Sequence, residues 1–178
     1  GAGGPSDPSN GEALDESNAD DLSAILGDLQ SMTGVDLSNT DTSYPTLATE
    51  TSIFTIGAVE IKPTKKDPTK KMLVINLELA QDDRLSTKGD PIKRGYKVAH
   101  YIGLTPTEKN DPASIQRNLA IFFDGALGEA VRKSTDIMRF PLTSLKGMTI
   151  TVRHGVQEPT DDFPQERTNV KTFIPKVI

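Results

Sequence analysis

The sequence predicts a mainly β domain, a five-stranded barrel with one helix between strands 3 and 4, preceded by an extended acidic N-terminal arm. Three observations support this prediction: an abrupt change of charge near residue 50, five β-rich runs after it, and one helical pattern between the third and fourth runs. We expect residues 1–50 to form a largely irregular arm and residues 51–178 to form one β domain of ordinary size.

Charge divides the chain into two parts. All 20 Lys and Arg residues lie between Lys62 and Lys176, whereas the first fifty residues carry ten Asp or Glu and no basic residue. The formal charge of −5 is therefore −10 on the arm and +5 on the domain. A basic domain suits a polyanionic ligand, and an acidic arm suits competition with that ligand or docking on a basic neighbour.

The arm is rich in Gly, Pro, Ser, Asn and acidic residues, a composition typical of segments that do not fold alone. A short amphipathic helix is predicted near residues 21–31, because Asp20 and Asp21 favour a helix N-terminus. Its apolar stripe, at helical spacing, consists of Leu22, Ile25, Leu26 and Leu29. A helix this short is marginal in water, so we expect the stripe to dock on its own domain, on another copy or on a partner.

Five β-rich runs follow the arm. Residues 53–62 and 71–80 predict a hairpin, since the Pro-punctuated and lysine-rich turn PTKKDPTK joins them. Residues 95–104 predict the third strand, and residues 147–156 and 168–174 predict the last pair. The connection within that last pair, QEPTDDFPQER, is long, polar and acidic.

One long helix is predicted between the third and fourth strands. Asp111 supplies an N-cap and Pro112 a first-turn proline, and the pattern ends near residues 125–128. The predicted buried stripe consists of Ile115, Leu119, Phe122 and Ala126. Five strands with a helix in this place match the order of an OB-type barrel, a small and partly open barrel that binds oligonucleotides over one strand face and its flanking loops.

A resemblance to a known family lies in four passages: GAVEIKPTKK, MLVINLEL, IQRNLAIFFDGALG, and LKGMTITVRHG followed by TNVKTFIP. These passages, within about residues 44–175, resemble the phage-encoded single-stranded-DNA-binding-like proteins, formerly a domain of unknown function. The resemblance implies an OB-like domain that binds single-stranded DNA. The long acidic arm departs from the usual members of that family.

The predicted nucleic-acid site combines cations that follow phosphates with aromatic rings on which bases stack. Its predicted residues are Lys65, Lys66, Lys70 and Lys71 on the first hairpin, Lys93, Arg94, Tyr96, Lys97 and Tyr101 in and before the third strand, and Arg153 and Lys171 on the last two strands. Phe173 lies between apolar neighbours, which favours a place in the core. Binding is expected to fall with salt, to depend little on sequence and to be opposed by the arm.

Simpler interpretations exist for these residues. A lysine-tipped hairpin is often only a solvated turn, and with 5% aromatic residues and no Trp the Tyr and Phe rings suit the core or the barrel rim. His100 alternates with Val98 and Ile102, which predicts a half-buried histidine. The chain has no Cys and two His, and it lacks a phosphate-binding glycine loop and a nucleophile elbow, so we expect no metal, no cofactor and no enzyme activity.

The alternative function is structural, a capsid cement or decoration protein whose arm ties neighbouring subunits together. If the domain binds nucleic acid, the expected partners are single-stranded DNA, or RNA, together with other copies or a replication protein bound through the arm. No apolar run reaches the length of a membrane span, and the N-terminus lacks the order of a signal peptide. We therefore expect no membrane partner, and a place in the host cytoplasm or, under the alternative, in the virion.

Overall fold

The computed structural model describes residues 23, 24, 27, 28, 30–32, 34 and 46–177. The chain divides into two units, Gly1–Ser43 and Tyr44–Ile178. In the first unit residues 23, 24, 27, 28 and 30–32 are helical and exposed. The predicted apolar stripe, Leu22, Ile25, Leu26 and Leu29, lies outside the described residues.

The second unit is mainly β, as predicted. Its strands, in chain order, are β1 (Glu50–Pro63), β2 (Lys71–Leu79), β3 (Arg84–Leu85), β4 (Pro91–Ile92), β5 (Lys97–Gly103), β6 (Thr149–Gln157) and β7 (Arg167–Ile174). Helices α1 (Pro112–Leu127) and α2 (Glu129–Ser134) lie between β5 and β6 in the chain, followed by two short 3₁₀ turns. The five predicted strands correspond to β1, β2, β5, β6 and β7, which form one antiparallel sheet in the order β5-β2-β1-β6-β7.

Alternation along β2 and β5 gives the sheet an inner and an outer face. In β2, Leu73 and Leu77 are buried, whereas Glu78 is exposed. In the β2–β5 register Leu77 lies opposite Val98, and Val74 lies opposite Tyr101. Residues directly opposite each other in a pair of strands point to the same face, and Val74 lies on the same face of β2 as the exposed Glu78. The exposed Tyr101 therefore belongs to the outer face.

The outer strands β5 and β7 are the two edges of the sheet. Within residues 46–177 no hydrogen-bonded pairing joins them, so the sheet is open. Side chains nevertheless connect these edges. The Tyr96 hydroxyl, just before β5, lies 2.9 Å from Thr168 Oγ1, and the rings of His100 and Phe173 meet with centroids 5.5 Å apart. From the first contact to the second, the residue number rises on both strands, from Tyr96 to His100 and from Thr168 to Phe173, so β5 and β7 run parallel to each other.

Helix α1 covers the inner face at one end of the sheet. Its start is as predicted, because the Asp111 side chain accepts a hydrogen bond from the Ser114 N–H at 2.8 Å and Pro112 opens the first turn. The predicted stripe faces the core: Ile115, Phe122 and Ala126 are buried and Leu119 is partly buried. At Gly125 the helix approaches β6 and β7 closely, since an added Cβ would lie 2.9 Å from the Cβ of Phe173.

The segment between β2 and β5 contains the short hairpin β3–β4. This hairpin holds the chain as it enters the unit: Leu47, fully buried, forms a bridge with Ser86, and the Ala48 N–H donates to the Leu85 carbonyl at 3.0 Å. Two-residue strands carry too few positions for an alternating pattern, so sequence periodicity does not indicate them.

Candidate nucleic-acid interface

A pocket of about 520 Å³ lies along the edge strand β5. One wall is β5 itself with the residue before it, and the opposite wall is the end of the loop between β6 and β7 together with the first residues of β7. Thr46, at the start of the described part of this unit, completes the lining. The pocket therefore occupies the place where the two open edges of the sheet approach each other.

Two aromatic side chains line the pocket and remain accessible. Tyr101, on the outer face of β5, is 55% exposed, and Phe163, in the loop between β6 and β7, is 50% exposed. Large aromatic side chains are usually buried, so two half-exposed rings beside one pocket make this surface the candidate functional site. Planar, apolar ligand groups such as nucleobases stack on rings of this kind.

The charged lining is mainly basic. Among the described residues that line the pocket, two are basic, Lys97 and Arg167, and one, Glu166, is acidic. The Arg167 guanidinium lies over the Phe163 ring, with its Cζ 3.9 Å from the ring centroid. The Glu166 carboxylate accepts a hydrogen bond from the Thr87 hydroxyl at 2.8 Å. The Arg167 cation is thus placed beside an aromatic ring, and Lys97 lines the same pocket.

Hydrogen bonds hold the pocket walls together. Thr168 Oγ1 lies 2.9 Å from the Tyr96 hydroxyl and accepts a hydrogen bond from the Leu47 N–H at 3.1 Å. The Thr46 hydroxyl donates to the Glu166 carbonyl at 3.2 Å. Tyr96, predicted as a stacking residue, lines the pocket with a mostly buried ring whose hydroxyl joins the two walls. These contacts fix the spacing of the walls before any ligand binds.

The lysine-rich turn between β1 and β2 has a defined local structure. Asp67 accepts hydrogen bonds from the Thr69 hydroxyl and the Thr69 N–H, and these bonds hold the pKa of Asp67 below its ordinary value. Lys65 and Lys66 are exposed at the tip. Lys66 Nζ lies 3.5 Å from Asp162, which precedes Phe163, so the turn and the pocket loop meet at one end of the domain.

The remaining predicted residues lie outside the pocket lining. Lys70 pairs with Asp67 at 3.9 Å, Lys71 opens β2, and Lys93 and Arg94 lie in the turn before β5, where Arg94 pairs with Asp82 at 3.4 Å. Arg153 is exposed on β6, and the stem of Lys171 on β7 lies over Gly155. The structure therefore brings Tyr96, Lys97 and Tyr101 together, connects Lys66 to them through the pocket loop, and spreads the other cations over the surface.

Sequence reasoning missed Phe163 and Arg167. Both lie in or beside the acidic connection QEPTDDFPQER, which reads as a polar linker. The single Phe in this otherwise polar segment could have indicated the site, because an isolated aromatic residue in a surface loop is not explained by packing in the core.

Other kinds of site find no support in the described part of the chain. It contains no group of three His, Cys, Asp or Glu residues placed to hold a metal ion, and no helix among the described residues is long and apolar enough to cross a membrane. No protein-family model and no curated protein matches the sequence.

Proposed function

We propose that this protein binds single-stranded nucleic acid without sequence preference, at the pocket between β5 and the β6–β7 loop. The observation that supports the proposal is the combination, in one pocket, of the half-exposed rings of Tyr101 and Phe163 with the cations Lys97 and Arg167. Each stacked base contributes about 1–3 kcal/mol, and every base has a face that can stack. Single-stranded substrate is favoured because paired bases in a duplex leave no free face for the rings.

We also propose that the domain is an OB-like, partly open barrel. The strand order β5-β2-β1-β6-β7, with α1 between β5 and β6 in the chain, leaves β5 and β7 as the edges that a barrel would join. The contacts Tyr96–Thr168 and His100–Phe173 span this seam. In OB domains the ligand lies over the second and third strands, between the first hairpin loop and the loop joining the last two strands. Here the lysine-rich turn and the Phe163 loop occupy those two positions.

The resemblance to phage-encoded single-stranded-DNA-binding-like proteins is consistent with this proposal and extends it to a setting. Under it the chain is a binding protein without catalytic activity that acts on DNA exposed during phage replication or recombination in the host cytoplasm. The lysine-rich turn and the four passages quoted above lie in the domain described here.

The acidic arm has a proposed role as a competitor of the nucleic acid. Residues 1–45 contain nine Asp or Glu and no basic residue, and they continue directly into Thr46, a lining residue of the pocket. A segment attached directly beside a binding site acts at an effective concentration of about 1 mM. Even weak attraction to the pocket cations would then lower the apparent affinity for nucleic acid.

Fluorescence anisotropy of a labelled oligo-dT tests the proposal. The full chain is compared with a full-length variant in which the nine acids of residues 1–45 are replaced by Asn or Gln, at low and at physiological salt. We expect binding that weakens as salt rises and that is tighter in the neutralised variant. No binding by either protein at low salt would refute nucleic-acid binding, and light scattering of the same samples would then test assembly into a particle lattice.

A further inference from the structure

A buried polar network lies under the segment that enters the domain. His154 on β6 is fully buried, and its Nε2 lies 2.8 Å from the hydroxyl of Ser52 on β1, which is also buried. Arg84 on β3 donates from Nε to the same hydroxyl oxygen at 2.8 Å. His154 Nδ1 is buried and makes no hydrogen bond within the described residues. The network joins three strands through a single hydroxyl group.

The hydrogen bonds favour one tautomer of the imidazole. A guanidinium can only donate, so Ser52 Oγ accepts from Arg84. If His154 Nε2 also donated to this oxygen, the buried Ser52 proton would have no acceptor among the described residues, so the arrangement in which Ser52 donates to Nε2 is favoured. Neutral His154 therefore carries its proton on Nδ1, and this arrangement satisfies the guanidinium, the hydroxyl and Nε2 together.

The charges around His154 disfavour its protonation. Burial lowers the pKa of His154 below its ordinary value, the positive charge of Arg84 lowers it further, and the Ala48 carbonyl acts in the opposite direction. On β1, Glu50 is the register partner of His154, but its carboxylate lies 3.4 Å from Arg84 Nη1, as does that of Asp83.

The other neighbours supply no negative charge. On β7 the register partner of His154 is the apolar Val170, the neighbouring Lys171 is basic, and Phe54 of β1 meets the imidazole edge-on at 6.0 Å. Both nearby carboxylates are thus paired with Arg84, and the neighbouring groups on β1 and β7 supply no further negative charge.

We infer that His154 is an acid-sensitive lock that holds residues 46–53 on the domain. An imidazolium would present a second donor to a hydroxyl that already accepts from a guanidinium, so two positive charges would meet at Ser52 and the buried Ser52 proton would lose its acceptor. A buried charge without a partner is costly, and the structure relieves it by opening.

The segment 46–53 is held by fewer strand pairings than the middle of β1, although lifting it exposes the buried Leu47. In β1 the pairing with β2 begins at Phe54, and Glu50–Ile53 pair with β6. Beyond that pairing, Ile53 is hydrogen-bonded to Ala80 and Gln81, and the Thr51 carbonyl accepts from Arg84. Ahead of them, Thr46–Ala48 are held by the β3–β4 hairpin and by Thr168. Lifting this segment exposes His154 and withdraws Thr46 from the pocket wall. Acid therefore loosens the segment and changes the pocket, whichever ligand the pocket binds.

Amide hydrogen exchange of the full chain, measured by NMR or mass spectrometry at pH 7.5 and 5.5, tests the lock. If the opened segment leaves His154 with the ordinary histidine pKa near 6.5, exchange corrected for intrinsic chemistry should rise about tenfold in residues 47–53 between these pH values. Amides in the centre of β2 exchange through global unfolding, which frees both histidines, so they should accelerate at least as much but stay far better protected than residues 47–53 at both pH values. Equal protection in both regions, or no acceleration in residues 47–53, would overturn the inference.

The two histidines provide a matched control. His154→Gln should abolish the acid dependence of exchange in residues 47–53, whereas His100→Gln, at the half-buried histidine of β5, should keep it. If His154→Gln fails to fold, the imidazole nitrogen spectrum of the unaltered chain decides the question. An Nδ1–H tautomer with a pKa below 6.5 supports the lock, and an Nε2–H tautomer or a pKa of 6.5 or above refutes it. None of these readouts requires nucleic acid, so they stand apart from the test of the proposed function.

Discussion

Replacing Phe163 by Ala removes one of the two rings of the pocket. One face of this ring is already covered by the Arg167 guanidinium at 3.9 Å, so a base can stack only on the other face. The loss is therefore one stack, worth about 1–3 kcal/mol. The free protein also loses a cation–π contact of about 0.5–1 kcal/mol, but that loss affects the free and bound states alike if Arg167 stays in place. We expect the dissociation constant for oligo-dT to rise by about 5- to 150-fold.

The salt dependence of binding separates stacking from charge. Phe163→Ala leaves Lys97 and Arg167 unchanged, so the slope of log affinity against log salt should stay the same while the affinity falls. Phe163→Tyr keeps the ring and should bind like the unaltered chain. Leu85→Ala is the control, because Leu85 is also about half exposed and lies outside the pocket lining. An affinity unchanged within about twofold in Phe163→Ala would refute stacking on this ring.

Three further predictions concern the pocket loop, the helix and acid stability. Asp162→Asn removes the partner of a turn lysine and should tighten binding by up to about fivefold and steepen the salt dependence, whereas Asp161→Asn, which removes the same charge one residue away, should do less. Gly125→Ala gains about 1 kcal/mol of helix propensity, but the new Cβ would lie 2.9 Å and 3.0 Å from side-chain carbons of β7 and β6, and such overpacking costs about 1–3 kcal/mol. We therefore expect urea unfolding to show a fold destabilised by about 1 kcal/mol. A stabilised variant would show that β6 and β7 move aside to accept the methyl group. Burial lowers the pKa of both His100 and His154, so the folded state binds fewer protons than the unfolded chain just below pH 6.5. The stability that the neutral histidines contribute should be fully present above that pH and fall below it. A urea midpoint that stays the same from pH 7.5 to 5.5 would contradict this prediction.

The strands and the helix could be predicted because their signals are local. The alternation of Leu73, Leu77 and Leu79 in β2 records burial on one face, and Asp111 followed by Pro112 marks the start of α1. The lysine-rich turn was likewise visible as a basic segment between two β-rich runs. Each of these features depends on residues within about one element of each other.

The pocket could be predicted only in part because it depends on distant contacts. Tyr101 and Lys97 were identified from their own strand, but Phe163 and Arg167 acquire a role only where the β7 edge approaches β5. The lock at His154 was also hidden, since its partners Ser52 and Arg84 come from β1 and β3. The residues next to His154 in the sequence do not indicate these partners.

The open seam between β5 and β7 has a consequence for how copies of the protein meet. Unpaired strand edges attract the edges of other chains and promote aggregation. Here each edge strand begins with a cation, Lys97 on β5 and Arg167 on β7, so two copies that approach edge to edge bring like charges together. A bound polyanion would neutralise that repulsion. On the polyanion that we propose as ligand, neighbouring copies would therefore lie closer together than free copies do.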